Sequence, residues 1–333
     1  MLASVLPKLI SKEQLERGEI PIYIAALALG AAIGILGPAA GSLLEAAIYP
    51  VLGVLLYVTF LQIPFSELRG AVSGGRFLAA TLVLNFLFVP VVVFVLSRFV
   101  AGDSAVLLGV LLVLLTPCID YVVAFSGRGG GDSRIVLAAT PVLMLVQMLG
   151  LPLYLWLFMG AEVLDVMSAG PFLEAFLLLV ALPLAFAGTT QYLRPRSSVA
   201  RKWDEAMGYL PIPLMALTLL SVVASQIPRL DGAFEQVAGV VPIYVTFLVV
   251  MALLGRVVAR LFGLGTEAGR ALIFTGSTRN SLVVLPLALA LPDAYALTPA
   301  IVVTQTLVEL AGMLVYMKAI PAWILKAPEP ASR

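Results

Sequence analysis

The chain has 333 residues, of which 61% are hydrophobic and 12% charged, with a formal net charge of +1. A soluble domain carries about 25% charged residues, so this composition excludes a water-facing surface, and near-neutrality excludes bulk attraction to nucleic acid. One cysteine and no histidine exclude an internal disulfide and a multi-cysteine metal site, and leave carboxylates as the proton carriers near neutral pH.

The first segment mixes Lys8, Lys12 and Arg17 with Glu13, Glu16 and Glu19. It has no short apolar core followed by a cleavage site, so a signal peptide is not expected. Within residues 1–18, Leu6, Leu9 and Ile10 beside Lys8 and Lys12 suit an interfacial helix. Ten apolar stretches follow, at 20–37, 43–63, 76–100, 104–126, 134–159, 171–193, 207–227, 237–262, 270–291 and 296–320. Each is near the roughly 20 residues that cross a bilayer core. Short connections without Ser/Pro-rich linkers make residues 1–333 one all-α integral membrane domain.

With ten spans, the twenty Lys and Arg fall almost entirely on the N-terminal side. Arg98 and Arg229 lie opposite, and Arg279 lies inside a span. The positive-inside rule then puts both termini in the cytoplasm.

Internal symmetry appears in three places. Gln-Ile-Pro ends the second and seventh spans, at 62–64 and 226–228. Thr140-Pro141 precedes Gln147 in the fifth, as Thr298-Pro299 precedes Gln305 in the tenth. "DYVVAF" from Asp120 in the fourth lies opposite "NSLVVL" from Asn280 in the ninth. The offsets agree and are close to half the chain, which points to a duplication over about 20–160 and 171–320. Five spans per copy is an odd number, so the copies are inverted, as in many secondary transporters with midplane sites.

The fourth span holds Thr116-Pro117-Cys118, and its mate holds "TGSTRNS" from Thr275 to Ser281. Proline removes a backbone donor, and a glycine among hydroxyl and amide side chains is a poor helix interior. Two discontinuous, crossing helices are therefore expected, since broken backbone at membrane depth survives only where protein or a water-filled cavity satisfies it. The alternative is a proline kink with Ser/Thr back-bonding.

Asp120 and Arg279 would each cost about 2.5–3.5 kcal/mol at a lipid-exposed helix centre. They line a solute pathway, or pair with each other, or do both in turn. Glu309 is the sole carboxylate of the tenth span and joins Asp120 as a candidate for proton or sodium coupling, or else pins two helices together. Gln62, Gln147, Gln226, Gln305 and Asn85 read as interhelical hydrogen-bonders, whereas Asn280 at the break reads as a site residue. Cys118, directly after the helix-breaking proline, sits where freed amides favour thiolate, a soft ligand. The candidate substrate-binding set is Thr116, Pro117, Cys118, Asp120, Ser277, Arg279 and Asn280. No cofactor is expected, and no enzyme, because no nucleophile–base set or metal cluster is visible.

"TPCIDYVVAFSGRGGGDSRIVLAATPVLM" from Thr116, "STRNS" from Ser277 and "LVEL" from Leu307 resemble the arsenical-resistance permeases of the bile acid/sodium symporter superfamily. The resemblance spans essentially the whole chain. It implies ten helices in a core and a panel domain with two crossed broken helices, in the cell membrane. It also implies efflux of arsenite, with antimonite as a second cargo, coupled to protons, with Cys118 contacting the metalloid and Glu309 matching a membrane carboxylate of that family. Leu282 stands where typical members carry glutamate, and Arg279 has no counterpart there. Since arginine suits an anion, a sodium- or proton-coupled carrier of small organic or inorganic anions is the alternative. Lipid is the surrounding partner, nucleic acid is not one, and nothing in the pattern sets an oligomeric state.

Overall fold

The computed structural model describes residues 12–62, 75–118, 121–160, 163, 174, 177–230 and 234–326. Among them the chain is helical, with no strand beyond one isolated bridge. In chain order the helices are α1 (Lys12–Leu36), α2 (Pro38–Leu61), α3 (Gly75–Val100), α4 (Ser104–Leu114), α5 (Val122–Arg128), α6 (Ser133–Met159), α7 (Leu182–Leu193), α8 (Ser198–Met207), α9 (Pro211–Gln226), α10 (Phe234–Leu261), α11 (Thr266–Ser277), α12 (Ser281–Leu289) and α13 (Thr298–Ala319).

Among the described residues, four segments are long and apolar enough to cross a bilayer alone: α3, α6, α10 and Asp293–Ile324, which contains α13. The bent pair α8 and α9, at 45°, makes a fifth. The sequence pattern asks for ten. The fourth and ninth stretches are each split in two, α1 and α2 contribute apolar windows of only Pro21–Leu36 and Ala47–Leu61, and the sixth stretch, 171–193, lies partly outside the described residues. Helix α8 is also new, since residues 198–207 read as a connection. Its N-cap is visible in hindsight at Ser197, whose hydroxyl accepts from Ala200 N at 3.3 Å.

The chain forms two compact units. One comprises Met1–Ile63, Met167–Glu235 and Leu285–Pro292, and the other Pro64–Val166, Gln236–Val284 and Asp293–Arg333.

In the first unit, α9 packs against α1 and α2, and α7 packs against α2. Close approach of α1 to α9 rests on Gly30 and Gly34, spaced as small residues are at membrane helix interfaces. A β-carbon at Gly30 would lie 2.6 Å from Leu220 O, and one at Gly34 would lie 3.0 Å from Ala224 O. Gln191 of α7 donates to Phe60 O at 3.2 Å and Leu61 O at 3.1 Å, satisfying carbonyls at the end of α2. Trp203 of α8 donates to Tyr57 Oη at 2.9 Å.

In the second unit, α4 is apolar all round and almost wholly buried, as a central helix must be. Asp103 caps its start, accepting from Ala105 N at 2.9 Å and Val106 N at 3.1 Å. Gly109 lets α13 approach, since a β-carbon there would meet Ile301 Cβ at 2.8 Å. Thr298 Oγ1 donates to Ala105 O at 2.9 Å across the same contact. Helix α3 widens into a π-turn at Leu84–Phe88. Pro90 lacks the N–H that would bond Phe86 O, and the Tyr154 hydroxyl of α6 donates to that carbonyl instead. Along α10, Tyr244, Phe247, Met251 and Val258 are buried, while Val245, Val249, Leu253 and Val257 are exposed in an i, i+4 row. Such a row is a liability in water and ordinary against lipid.

Gly30→Leu is expected to destabilise the first unit by about 1–3 kcal/mol through overpacking against the α9 backbone. Gly188→Leu, whose β-carbon meets nothing within 4 Å, serves as control. Thermal unfolding in detergent checks the pair, and equal melting points would refute the close-approach argument.

Candidate functional site

Both expected interruptions are present in the second unit, and each satisfies the other. Helix α4 ends at Leu114 and α5 starts at Val122; α11 ends at Ser277 and α12 starts at Ser281. Between them Pro117 and Arg279 form an antiparallel bridge. Cys118 N donates to Thr278 O at 3.1 Å, and Asn280 N donates to Thr116 O at 2.8 Å.

Most carbonyls at both helix ends have identified partners. Thr116 Oγ1 lies 2.9 Å from Leu112 O and 3.1 Å from Val113 O. Ser277 Oγ donates to Ile273 O at 2.8 Å, and Thr278 Oγ1 to Phe274 O at 2.9 Å. Three more carbonyls go to Arg279. Its side chain turns back along α11, so that Nη2 donates to Thr275 O at 3.1 Å and to Gly276 O. Nη1 donates to Leu114 O of α4 at 3.3 Å. Nη2 also meets Asn85 Oδ1 in the π-turn of α3 at 2.9 Å, and the guanidinium carbon stands 5.3 Å from the Phe247 ring centroid. Asn85 is oriented from its other end, where Nδ2 donates to Thr81 O at 3.0 Å. Arg279 is 0% exposed, and it caps two helix C-termini, where the backbone dipoles favour a cation.

Glu309 of α13, 1% exposed, takes the opposite role. Its Oε2 accepts from Arg279 backbone N at 2.8 Å and from Gln305 Nε2 one turn earlier on its own helix. Its Oε1 lies 2.7 Å from the Tyr121 hydroxyl, which is also 3.1 Å from Arg279 O. That hydroxyl has one proton, and the carboxylate is the nearer acceptor. Glu309 thus ties α13 to the two breaks, and Gln305, expected to join helices, bonds within α13. Among the described residues the Arg279 guanidinium pairs with neutral oxygens and not with a carboxylate. Asp120 lies outside the described residues.

Thr116, Pro117, Cys118, Ser277, Arg279 and Asn280 therefore come together at the bridge. Thr116 and Ser277 spend their hydroxyls on helix carbonyls, while Cys118 is fully buried. Asn280 Oδ1 accepts from Val283 N at 3.2 Å at the start of α12, whereas its Nδ2 and Arg279 Nε are buried without a hydrogen-bond partner. Tyr121 and Tyr316 escaped the sequence reading. Tyr316 of α13 lies 3.2 Å from Ser277 Oγ and donates to Leu248 O. Tyr121 had a signal, standing directly after Asp120 in the repeated hexapeptide; Tyr316 had none.

Asn85→Ala removes one of the three oxygens that share the two protons of Arg279 Nη2 in a buried place. The expected loss is about 1.5–3 kcal/mol, read as a lower thermal midpoint. An unchanged midpoint would mean that Asn85 does not hold Arg279.

The sequence profile described as the Sodium Bile acid symporter family matches residues 49–231, more than half of the chain. The match takes in the first break and ends before the second. No curated protein matches the chain. With apolar helices long enough to cross a bilayer and a family of transporters, not enzymes, the chain belongs to the sodium bile acid symporter family of multi-pass membrane proteins.

Proposed function

We propose that the protein is a secondary active transporter that extrudes arsenite, with antimonite as a second cargo, from the cytoplasm in exchange for protons. The observation that carries this reading is the place of Cys118, fully buried at the bridge between two helix breaks. A thiol selects soft acceptors, and arsenite presents a soft centre surrounded by hydroxyls. The unpartnered donors Arg279 Nε and Asn280 Nδ2 belong to the same bridge and suit those oxygens. Asp120 and Glu309 are the carboxylates assigned to coupling. The resemblance of "TPCIDYVVAF" and "LVEL" to arsenical-resistance permeases supports the same cargo.

The architecture proposed with it is ten spans in two inverted repeats, 20–160 and 171–320, arranged as core and panel domains. Breaks at corresponding positions of the two repeats support it. A cell-membrane location with both termini cytoplasmic rests on the Lys/Arg distribution. The second reading is a sodium- or proton-coupled carrier of a small anion, favoured by the family description. It ranks second because both Nη atoms of Arg279 are already engaged by protein oxygens.

Inside-out membrane vesicles with an imposed pH gradient test the first reading. Wild type is expected to accumulate arsenite, and Cys118→Ser to lower accumulation about tenfold or more. No accumulation in vesicles shown to hold folded protein would sink it, and organic acids with sodium would then be screened. Glu309→Gln is expected to abolish gradient-driven accumulation while downhill arsenite exchange persists. Full pH-driven accumulation in that variant would remove Glu309 from the coupling path.

A further inference from the structure

The hydrogen-bond acceptors around Arg279 are those of a cation site. Three are backbone carbonyls at the C-terminal ends of α4 and α11, those of Leu114, Thr275 and Gly276, and the fourth is Asn85 Oδ1. Hard inorganic cations are held by such oxygens, and helix C-termini favour positive charge. Here all four converge on a guanidinium that the chain itself supplies.

Other oxygens of the two breaks are committed as well. Among the described residues, Thr116 O and Thr278 O accept the backbone bonds of the bridge. Both Glu309 oxygens receive donors, from Tyr121, Gln305 and the Arg279 backbone. A carboxylate wrapped in donors is arranged as an anion site, not as a ligand for a metal cation. The unpartnered side-chain atoms of the bridge residues, Arg279 Nε and Asn280 Nδ2, are donors too, and would repel a cation. Thr81 Oγ1, Thr275 Oγ1 and Gln305 Oε1 are the unpartnered side-chain oxygens within one turn of Asn85, Arg279 and Glu309 among the described residues. Three neutral oxygens are few for a cation that must also lie near a guanidinium.

We infer that Arg279 is a tethered cation, occupying with its guanidinium the oxygen cage at the helix breaks that a sodium-coupled carrier would fill with a free ion, so that this member of a sodium symporter family works without sodium. The inference deepens the proposed proton coupling and rests on it for the coupling ion, but it does not depend on the cargo. It also assigns Arg279 a positioning role: the residue holds the two breaks together through their carbonyls, and its charge is spent on the protein.

Purified protein in detergent provides a test independent of transport. Unfolding midpoints are measured at constant ionic strength in sodium, choline and guanidinium chloride, the last kept at low millimolar concentration, below its denaturing range. Wild type and Arg279→Lys are expected to show no sodium-specific shift. Arg279→Met, which removes the charge and leaves the cage, is expected to gain a saturable rise of about 3 °C or more with sodium or guanidinium, as mass-action linkage requires of a bound ion. A saturable sodium-specific rise in wild type overturns the inference. So does an Arg279→Met protein whose midpoint is the same in all three salts. If Arg279→Met yields no folded protein in any salt, the wild-type titration decides alone. Failure of arsenite transport with a sodium-insensitive wild type would sink the cargo reading and leave the tethered cation standing.

Discussion

The constraint on which the second unit turns is that two helices stop inside an apolar protein, and every backbone group freed there must find a partner within it. An unpaired buried carbonyl or amide costs about 1–3 kcal/mol, and two helix ends expose up to eight such carbonyls. The solution is reciprocal. Thr116 O and Thr278 O take the bridge amides of Asn280 and Cys118, hydroxyls of Thr116, Ser277 and Thr278 take carbonyls of their own helices, and Arg279 takes those of Leu114, Thr275 and Gly276. Neither break would be tolerable without the other. This is why Pro117, so unfavourable in a lone membrane helix, can sit at 117 at all.

Charge is arranged on the same plan. Arg279 sends its guanidinium to helix C-termini and its backbone amide to Glu309, which gathers N–H and O–H donors. One residue thus bridges a region rich in acceptors and a region rich in donors. Buried charges bonded to neutral dipoles cost desolvation, and the full set of hydrogen bonds offsets it.

Much of this was legible in the sequence, and the limits have a physical origin. Pro117 and the polar run at 275–281 marked the breaks because local backbone chemistry is written in residue types. Burial of Arg279 and Glu309 followed from the cost of exposing either to lipid. The partners of Arg279 were not legible. A pattern of letters offers carboxylates as partners for arginine, whereas the structure uses backbone carbonyls, which every residue carries and no letter marks. Asn85 reaches it across 194 positions, a distance no periodicity encodes. Helix α8 was passed over because its apolar stripe is narrow and flanked by Arg201, Lys202, Asp204 and Glu205, and the fourth and ninth stretches divide where proline and polar groups cluster.

The candidate residues separate by what the fold already asks of them. Thr116 and Ser277 have hydroxyls consumed by carbonyls, so their identities are explained by helix ends alone. Asn280 is half consumed, its carbonyl oxygen holding Val283 N while its amide donor has no partner. Position 118 differs again. Its backbone N–H donates to Thr278 O, a bond that any residue but proline supplies, so that bond does not select cysteine. What sets position 118 apart is its place: a thiol with 0% exposure at the bridge that joins the two breaks, where a soft side chain stands beside both interrupted helices.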